Sequence, residues 1–246
     1  MSKKAISVSN EATNGLVHST VVDLAELTAN PSSYGFFKFR PHVEKLMLAG
    51  TAEAKHISIL WYTVPDGGVG RHYHSMTESV YTIEGRQTDA QGVYSTGSLC
   101  FNPPGSGHEI VASTGFFILA YASPPDFVNT DLIKAYTPIH IDTANPHLEN
   151  NCPFYPFFAD RQAGLWIYDV PLAPQSGISC KLNKSTSAKS YLYQGNYLQV
   201  LRGSCEIDGT TFGEQMLVVS TTVEPRLYKI NASENNTCLV LGLSFL

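Results

Sequence analysis

From His56 onward the apolar positions fall in short runs or in strict alternation, broken every few residues by Gly, Pro, Asn or Asp. This is the pattern of β-strands and turns rather than of helices. Predicted strands cover 56–64, closed by Pro65-Asp66-Gly67-Gly68; 77–84, stopped at Gly85; 98–101, ending at Asn102-Pro103-Pro104-Gly105; and then 108–112 and 115–122. Similar runs resume at 165–170, 197–202, 215–220, 226–230 and 237–246. Short strands at this spacing predict an antiparallel sandwich or barrel. The exception is 21–27, which reads as a short helix with Asp23 near its start.

Between 123 and 158 the composition shifts to Pro124-Pro125, Pro138, Pro146, Pro153 and Pro156 among Asn and aromatic residues, which marks a crossing between two domains. The halves on either side look like a repeat. An offset of 118 residues lays Val80-Tyr-Thr-Ile-Glu-Gly85 over Leu198-Gln-Val-Leu-Arg-Gly203. The expected organisation is a first domain over 1–125, a connection over 126–160 and a second domain over 161–246.

Charge narrows the range of partners. Sixteen Lys and Arg against 21 Asp and Glu give a formal charge of −5, and no basic cluster exceeds Lys3-Lys4, which argues against nucleic acid and anionic membranes. The densest apolar stretch, 115–122, is far shorter than the roughly 18 residues of a membrane span. The opening Met1-Ser-Lys-Lys lacks a following apolar segment, so a cytoplasmic protein is expected. Cys100, Cys152, Cys180, Cys205 and Cys238 are odd in number with no CxxC pair, and are expected reduced and buried. The glycosylation-type tripeptides at Asn183, Asn231 and Asn235 are then chance matches. Only 15% of residues are charged, and 13 Tyr and 12 Phe accompany them, so surface is expected to be lost to a cavity or to a homodimer interface.

One stretch carries chemistry: His72-Tyr-His74-Ser-Met-Thr-Glu78, then Gly85, and Gly97 with Pro103, Gly105 and His108. Residues of equal parity share one face of a strand, so His72 and His74 project together and Glu78 can return to that face. A turn at Pro103-Pro104-Gly105 would start a neighbouring strand that brings in His108. Three imidazoles and a carboxylate suit iron, manganese, nickel, copper or zinc. Four protein ligands on a six-coordinate ion would leave two positions for water, substrate or dioxygen. His18, His42, His56, His140 and His147 are read as ordinary hydrogen-bonded side chains.

These residues resemble the cupins, small β-barrels with the motifs G(X)5HXH(X)3,4E(X)6G and G(X)5PXG(X)2H(X)3N. His72, His74, Glu78 and Gly85 hold the first spacing and Gly97, Pro103, Gly105 and His108 the second. Eight fixed positions would coincide by chance with a probability on the order of 10⁻¹⁰ per starting point. Gly67 lies one residue too close to His72, and Ala112 stands where the second motif ends in Asn. The resemblance implies an all-β fold of two barrels of the jelly-roll type. The second barrel would be degenerate and metal-free, since under the offset His72, His74 and Glu78 fall on Ser190, Leu192 and Asn196, and His108 falls near Arg226.

Within the cupins, Thr20-Val-Val-Asp23-Leu-Ala-Glu-Leu27 and the stretch 57–67 look like the branch holding the cupin domain of ChrR-type anti-sigma factors and the acetylacetone-cleaving dioxygenases. The zinc-binding helical domain of the anti-sigma factors, with its CxxC pair, has no counterpart here. The resemblance then implies one divalent metal ion per chain, Fe2+ first, with Mn2+, Ni2+ or Zn2+ as alternatives. It also implies dioxygenase-like chemistry on a small enolisable carbonyl compound. Glu78 departs from the three-histidine set of the diketone enzymes. A metal-dependent isomerase or lyase and a non-enzymatic sensor remain open. Tyr62, Arg71, Tyr73 and Phe101 are candidate substrate contacts by proximity in sequence.

Overall fold

A computed structural model describes residues 16, 18–148, 156–160, 164–186, 190–232 and 237–246, with the side chains of 66, 156 and 157 left aside. In chain order it holds β1 (Ser19–Asp23), α1 (Leu24–Ala29), β2 (Phe37–Arg40), β3 (Val43–Ala49), β4 (His56–Tyr73), β5 (Glu78–Asp89), β6 (Gly92–Ser95), β7 (Ser98–Asn102), β8 (Gly107–Tyr121) and β9 (Ile139–Asp142). There follow β10 (Pro156–Asp160), β11 (Leu165–Asp169), β12 (Ile178–Ser185), β13 (Ser190–Gly195), β14 (Tyr197–Arg202) and β15 (Cys205–Ile207). The chain closes with β16 (Thr210–Phe212), β17 (Met216–Ser220), β18 (Arg226–Ala232) and β19 (Cys238–Phe245). The fold is all-β, as the alternation predicts. No described helix is long and apolar enough to cross a membrane.

The helix is shorter and later than 21–27. Val21 and Val22 are β-branched and pair with Val218 and Leu217 in a strand, and the helix begins only after Asp23, whose Oδ1 accepts from the Glu26 N–H at 3.0 Å as an N-cap.

Two compact units emerge. One comprises Gly35–Pro146 with Leu172–Ile178; the other joins the described residues up to Tyr34 and from His147 to Pro171 with Ser179–Leu246. The units therefore do not follow the expected division at 125 and 160. β1 pairs with β17 in unbroken register from Ser19↔Ser220 to Asp23↔Met216, which makes the first strand an edge of the unit built by the C-terminal half. The segment 126–160 also contributes to both sheets, since β9 pairs with β7 and β10 with β11.

The repeat is explicit in the topology. In one unit the strands lie in the order β9-β7-β5-β8-β4-β3-β2, and in the other β1-β17-β14-β19-β12-β11-β10. Position by position β5 matches β14, which is the superposition of Val80 on Leu198 predicted by the offset. The interiors differ. In the second unit Tyr193, Leu198, Val200, Tyr228, Ile230 and Val240 form a hydrophobic core. In the first, Val43, Tyr62, Val80, Phe117, Leu119 and Tyr121 surround a cavity.

The predicted strands 108–112 and 115–122 are one long strand, β8, with Gly115 inside it at φ +98° directly opposite Gly85 of β5 at φ +94°. A Cβ on Gly85 would lie 2.0 Å from the carbonyl oxygen of Thr114, and one on Gly115 would lie 2.1 Å from that of Glu84. Only glycine fits either position, since a side chain would meet both the positive φ and the facing carbonyl.

Candidate metal centre

His72 lies near the end of β4 and is paired in register with His108 near the start of β8. His74 has just left the strand, and its backbone is held by the turn before β8: its N–H donates to the Ser106 carbonyl, and its carbonyl accepts from the Gly105 N–H, both at 2.8 Å. Gly105 makes that turn at φ +84°. Glu78 opens β5 opposite Asn102 of β7 and Tyr121 of β8. Four elements thus bring together the four residues predicted as ligands. One donor atom from each lies within 4.8 Å of the others, and all four residues are buried. No other group of three or more such residues is found among the described residues.

The orientation of His72, His108 and Glu78 is fixed from behind. The Nδ1–H of His72 donates to the Gly70 carbonyl at 2.8 Å, which leaves Nε2 for the centre. His108 Nδ1 donates to Asp89 Oδ2 at 2.8 Å, while Asp89 Oδ1 accepts from the backbone N–H groups of Gln91 and Gly92. Asn102 Nδ2 donates to Glu78 Oε2 at 3.1 Å. Asp89 and Asn102 have no place in the motif reading.

The electrostatics call for a cation. Burial lowers His74 to about 4 and also lowers His72, in both cases against the pull of Glu78. Burial opposes charging of His108 too, but the hydrogen bond to Asp89 and the nearby Glu78 carboxylate outweigh it and raise this imidazole to about 9. Burial pushes the Glu78 carboxyl up, and His74, His108 and His72 more than reverse this, holding it well below the usual carboxylate range. A proton on His108 therefore stands between two carboxylates where a metal ion would put its charge. The Nε2 atoms of His74 and His108 each lie 3.4 Å from Glu78 Oε2, yet His74 Nε2 is buried without a hydrogen-bond partner. A buried imidazole nitrogen with no partner, aimed at a carboxylate and two further imidazoles, fits a divalent transition ion held by His72, His74, Glu78 and His108.

The centre opens on a cavity of about 70 Å³. Val43, Leu60, Val69, Ile110, Phe117 and Leu119 supply apolar wall; Arg40, Lys45 and Gln87 supply the polar wall that does not belong to the ligands. Of the sequence-predicted contacts, Tyr62 lines this cavity. Arg71 is exposed, Tyr73 is tied by its backbone to Asp126, and Phe101 is buried in the pairing of β7 with β5, so these three stand off the wall. Arg40 and Lys45 escaped the sequence reading, because β2 and β3 precede the first run recognised as a strand.

The remaining histidines and cysteines behave as ordinary side chains. His56 is fully buried, bonded to the Thr51 carbonyl and Ser58 Oγ at 2.8 Å each, and His140 meets Ser98 Oγ at 3.2 Å. Cys100, Cys180, Cys205 and Cys238 are free and buried; Cys152 and Asn235 lie outside the described residues. In the second unit Ser190 and Leu192 are exposed and Asn196 bonds to backbone groups, so the positions matched to His72, His74 and Glu78 gather no ligand set.

Comparison with known proteins agrees with this description. The family described as ChrR Cupin-like domain matches residues 24–124. No curated protein matches the chain. Among solved structures, the chain is similar to a cupin 2 conserved barrel domain protein of Leptotrichia buccalis, at 11% identity and a TM-score of 0.56, over 92% of this chain and 96% of that one. It is likewise similar to a candidate dioxygenase of Nostoc punctiforme (9% identity, TM-score 0.56, 93% and 83% of the two chains). A candidate glyoxylate-induced protein of Pseudomonas aeruginosa gives 13% identity and a TM-score of 0.57, over 94% and 90%. The segment similar to the ChrR Cupin-like family is the one that holds all four buried ligands, and the fold of the chain as a whole is similar to that of solved cupin barrel proteins.

Proposed function

We propose that this protein is a mononuclear metal-dependent oxidoreductase of the dioxygenase type, using ferrous iron on a small enolisable carbonyl compound. The observation that carries the reading is the buried group of three imidazoles and one carboxylate opening on a largely apolar cavity. When bound, a divalent transition ion supplies Lewis acidity and, as iron, redox chemistry with oxygen. The chain's own residues do the rest. Asp89, Gly70 and Asn102 hold His108, His72 and Glu78 in one orientation. The apolar wall excludes bulk water, which strengthens every electrostatic interaction inside it. Burial raises the Tyr62 phenol to about 12, so this side chain stays protonated at the wall and can donate a hydrogen bond to a substrate oxygen.

Oxygen uptake by the iron-loaded protein, screened against 1,3-diketones and 2-oxo acids, tests the reading. Uptake stoichiometric with substrate loss is the expected result. Turnover that proceeds equally without oxygen would move the protein to the isomerase or lyase class. The reading also takes the chain to be a cytoplasmic homodimer. The low charge fraction and the exposed Phe37, Val128 and Leu132 support self-association, and sedimentation at micromolar concentration checks it.

A further inference from the structure

We infer that the substrate is a small organic acid, whose carboxylate is held by Lys45 and Arg40 while its enolisable carbonyl faces the imidazoles and its apolar body meets the walls. This rests on the enolisable-carbonyl reading above and names the charge that reading leaves open.

Lys45 sits in the middle of β3, paired with Leu60 of β4 and Phe37 of β2, and shares the inner face with Val43. It is only 3% exposed. Its ammonium stands 3.6 Å from the centre of the Phe39 ring. The Arg40 guanidinium lies 5.1 Å from that same ring and 4.3 Å from the ring of Phe127, which in turn packs 5.1 Å from the imidazole of His72. The two cations and the metal centre are thus joined by a short chain of ring contacts on one cavity wall. Among the described residues neither cation has a carboxylate partner or a side-chain hydrogen bond. Aromatic faces compensate part of the lost hydration, but a cation this buried is costly to keep without an anion. Burial, with Arg40 adding to it, lowers Lys45 to about 8, the direction expected of a cation lacking a counter-ion. Among the described residues lining the cavity the one carboxylate is Glu78, and it is engaged by the histidines. A neutral diketone would need neither cation; an organic acid uses both.

Calorimetric titration of the zinc-loaded, redox-inert protein tests the inference, with phenylpyruvate and its methyl ester as probes. They share a body and an enolisable carbonyl and differ in charge. The acid is expected to bind at least tenfold more tightly than the ester. Lys45→Met and Arg40→Gln should each lose at least tenfold for the acid, change little for the ester and keep one zinc per chain, and Lys45→Arg should restore acid binding. Ligand-free Lys45→Met should melt no lower than wild type, since it removes a buried charge. An acid bound no more tightly than its ester, variants that bind the acid as wild type does, or a Lys45→Met protein that melts lower and loses both ligands alike would each overturn the inference. Because no turnover is involved, this result stands apart from the oxygen-uptake experiment.

Discussion

His108 and Asp89 form the best-defined outer contact of the candidate metal centre: the imidazole Nδ1–H donates to the buried carboxylate at 2.8 Å, and two backbone N–H groups of the following turn fix that carboxylate in place. A carboxylate behind a ligating histidine sets its tautomer and raises its basicity. Asp89→Ala should therefore weaken metal binding by about 10–100-fold without removing a ligand. Competition against a chromophoric chelator measures this, and a variant with wild-type affinity would show the contact to be incidental.

Metal uptake should release protons. With His108 at about 9 in the metal-free protein, this imidazole carries a proton at neutral pH that an incoming ion must displace. Apparent affinity is then expected to rise by about tenfold per pH unit between pH 6 and 8, with close to one proton released per ion. Calorimetry in buffers of different ionisation enthalpy reads the proton count; a count near zero would contradict the assignment.

Acid should destabilise the fold at a second place. Burial holds His56 down at about 4 although the Thr51 carbonyl favours its charged form, and its ring stacks on Tyr121 at 4.6 Å. The unfolded chain then binds a proton on this residue from about pH 6.5 downward, while the folded chain resists until about 4. The stability it contributes is complete above pH 6.5 and is lost as the pH falls through 4. The melting temperature of metal-free protein should drop between pH 6.5 and 4.5, and His56→Gln should flatten that slope.

The facing glycines give a prediction independent of metal. Alanine at Gly85 or Gly115 puts a Cβ about 2 Å from a carbonyl oxygen in a left-handed backbone conformation, so each substitution should cost more than about 2 kcal/mol. Urea denaturation of Gly85→Ala would show it, and an unchanged midpoint would mean the strands can slide apart at no cost.

How much of this was legible in the sequence depended on the distance over which a feature is written. The ligands are legible because His72 lies near the end of β4, His74 and Glu78 follow within six residues, and a short turn at 103–105 leads to His108, so spacing along the chain carries the geometry. Asp89 and Asn102 are not, since each meets its ligand through register between strands, and register across a sheet is not visible in a local pattern. The pairing of Ser19–Asp23 with Met216–Ser220 lies beyond any local signal for the same reason, and the helical pattern over 21–27 includes β-branched residues that serve a strand formed with the far end of the chain. Lys45 illustrates a third limit. In Val43-Glu-Lys-Leu-Met-Leu-Ala49 a charged residue occupies an inward position, which breaks the alternation that would have revealed the strand.

The central claim is a single metal site made by His72, His74, Glu78 and His108. Elemental analysis of protein purified without a metal-affinity tag tests it most directly, with wild type compared against His72→Ala and His108→Ala. The account predicts about one equivalent of a divalent transition metal per chain in wild type, lost in both variants. A wild-type protein that takes up no metal even on reconstitution, or variants that retain a full equivalent, would contradict it.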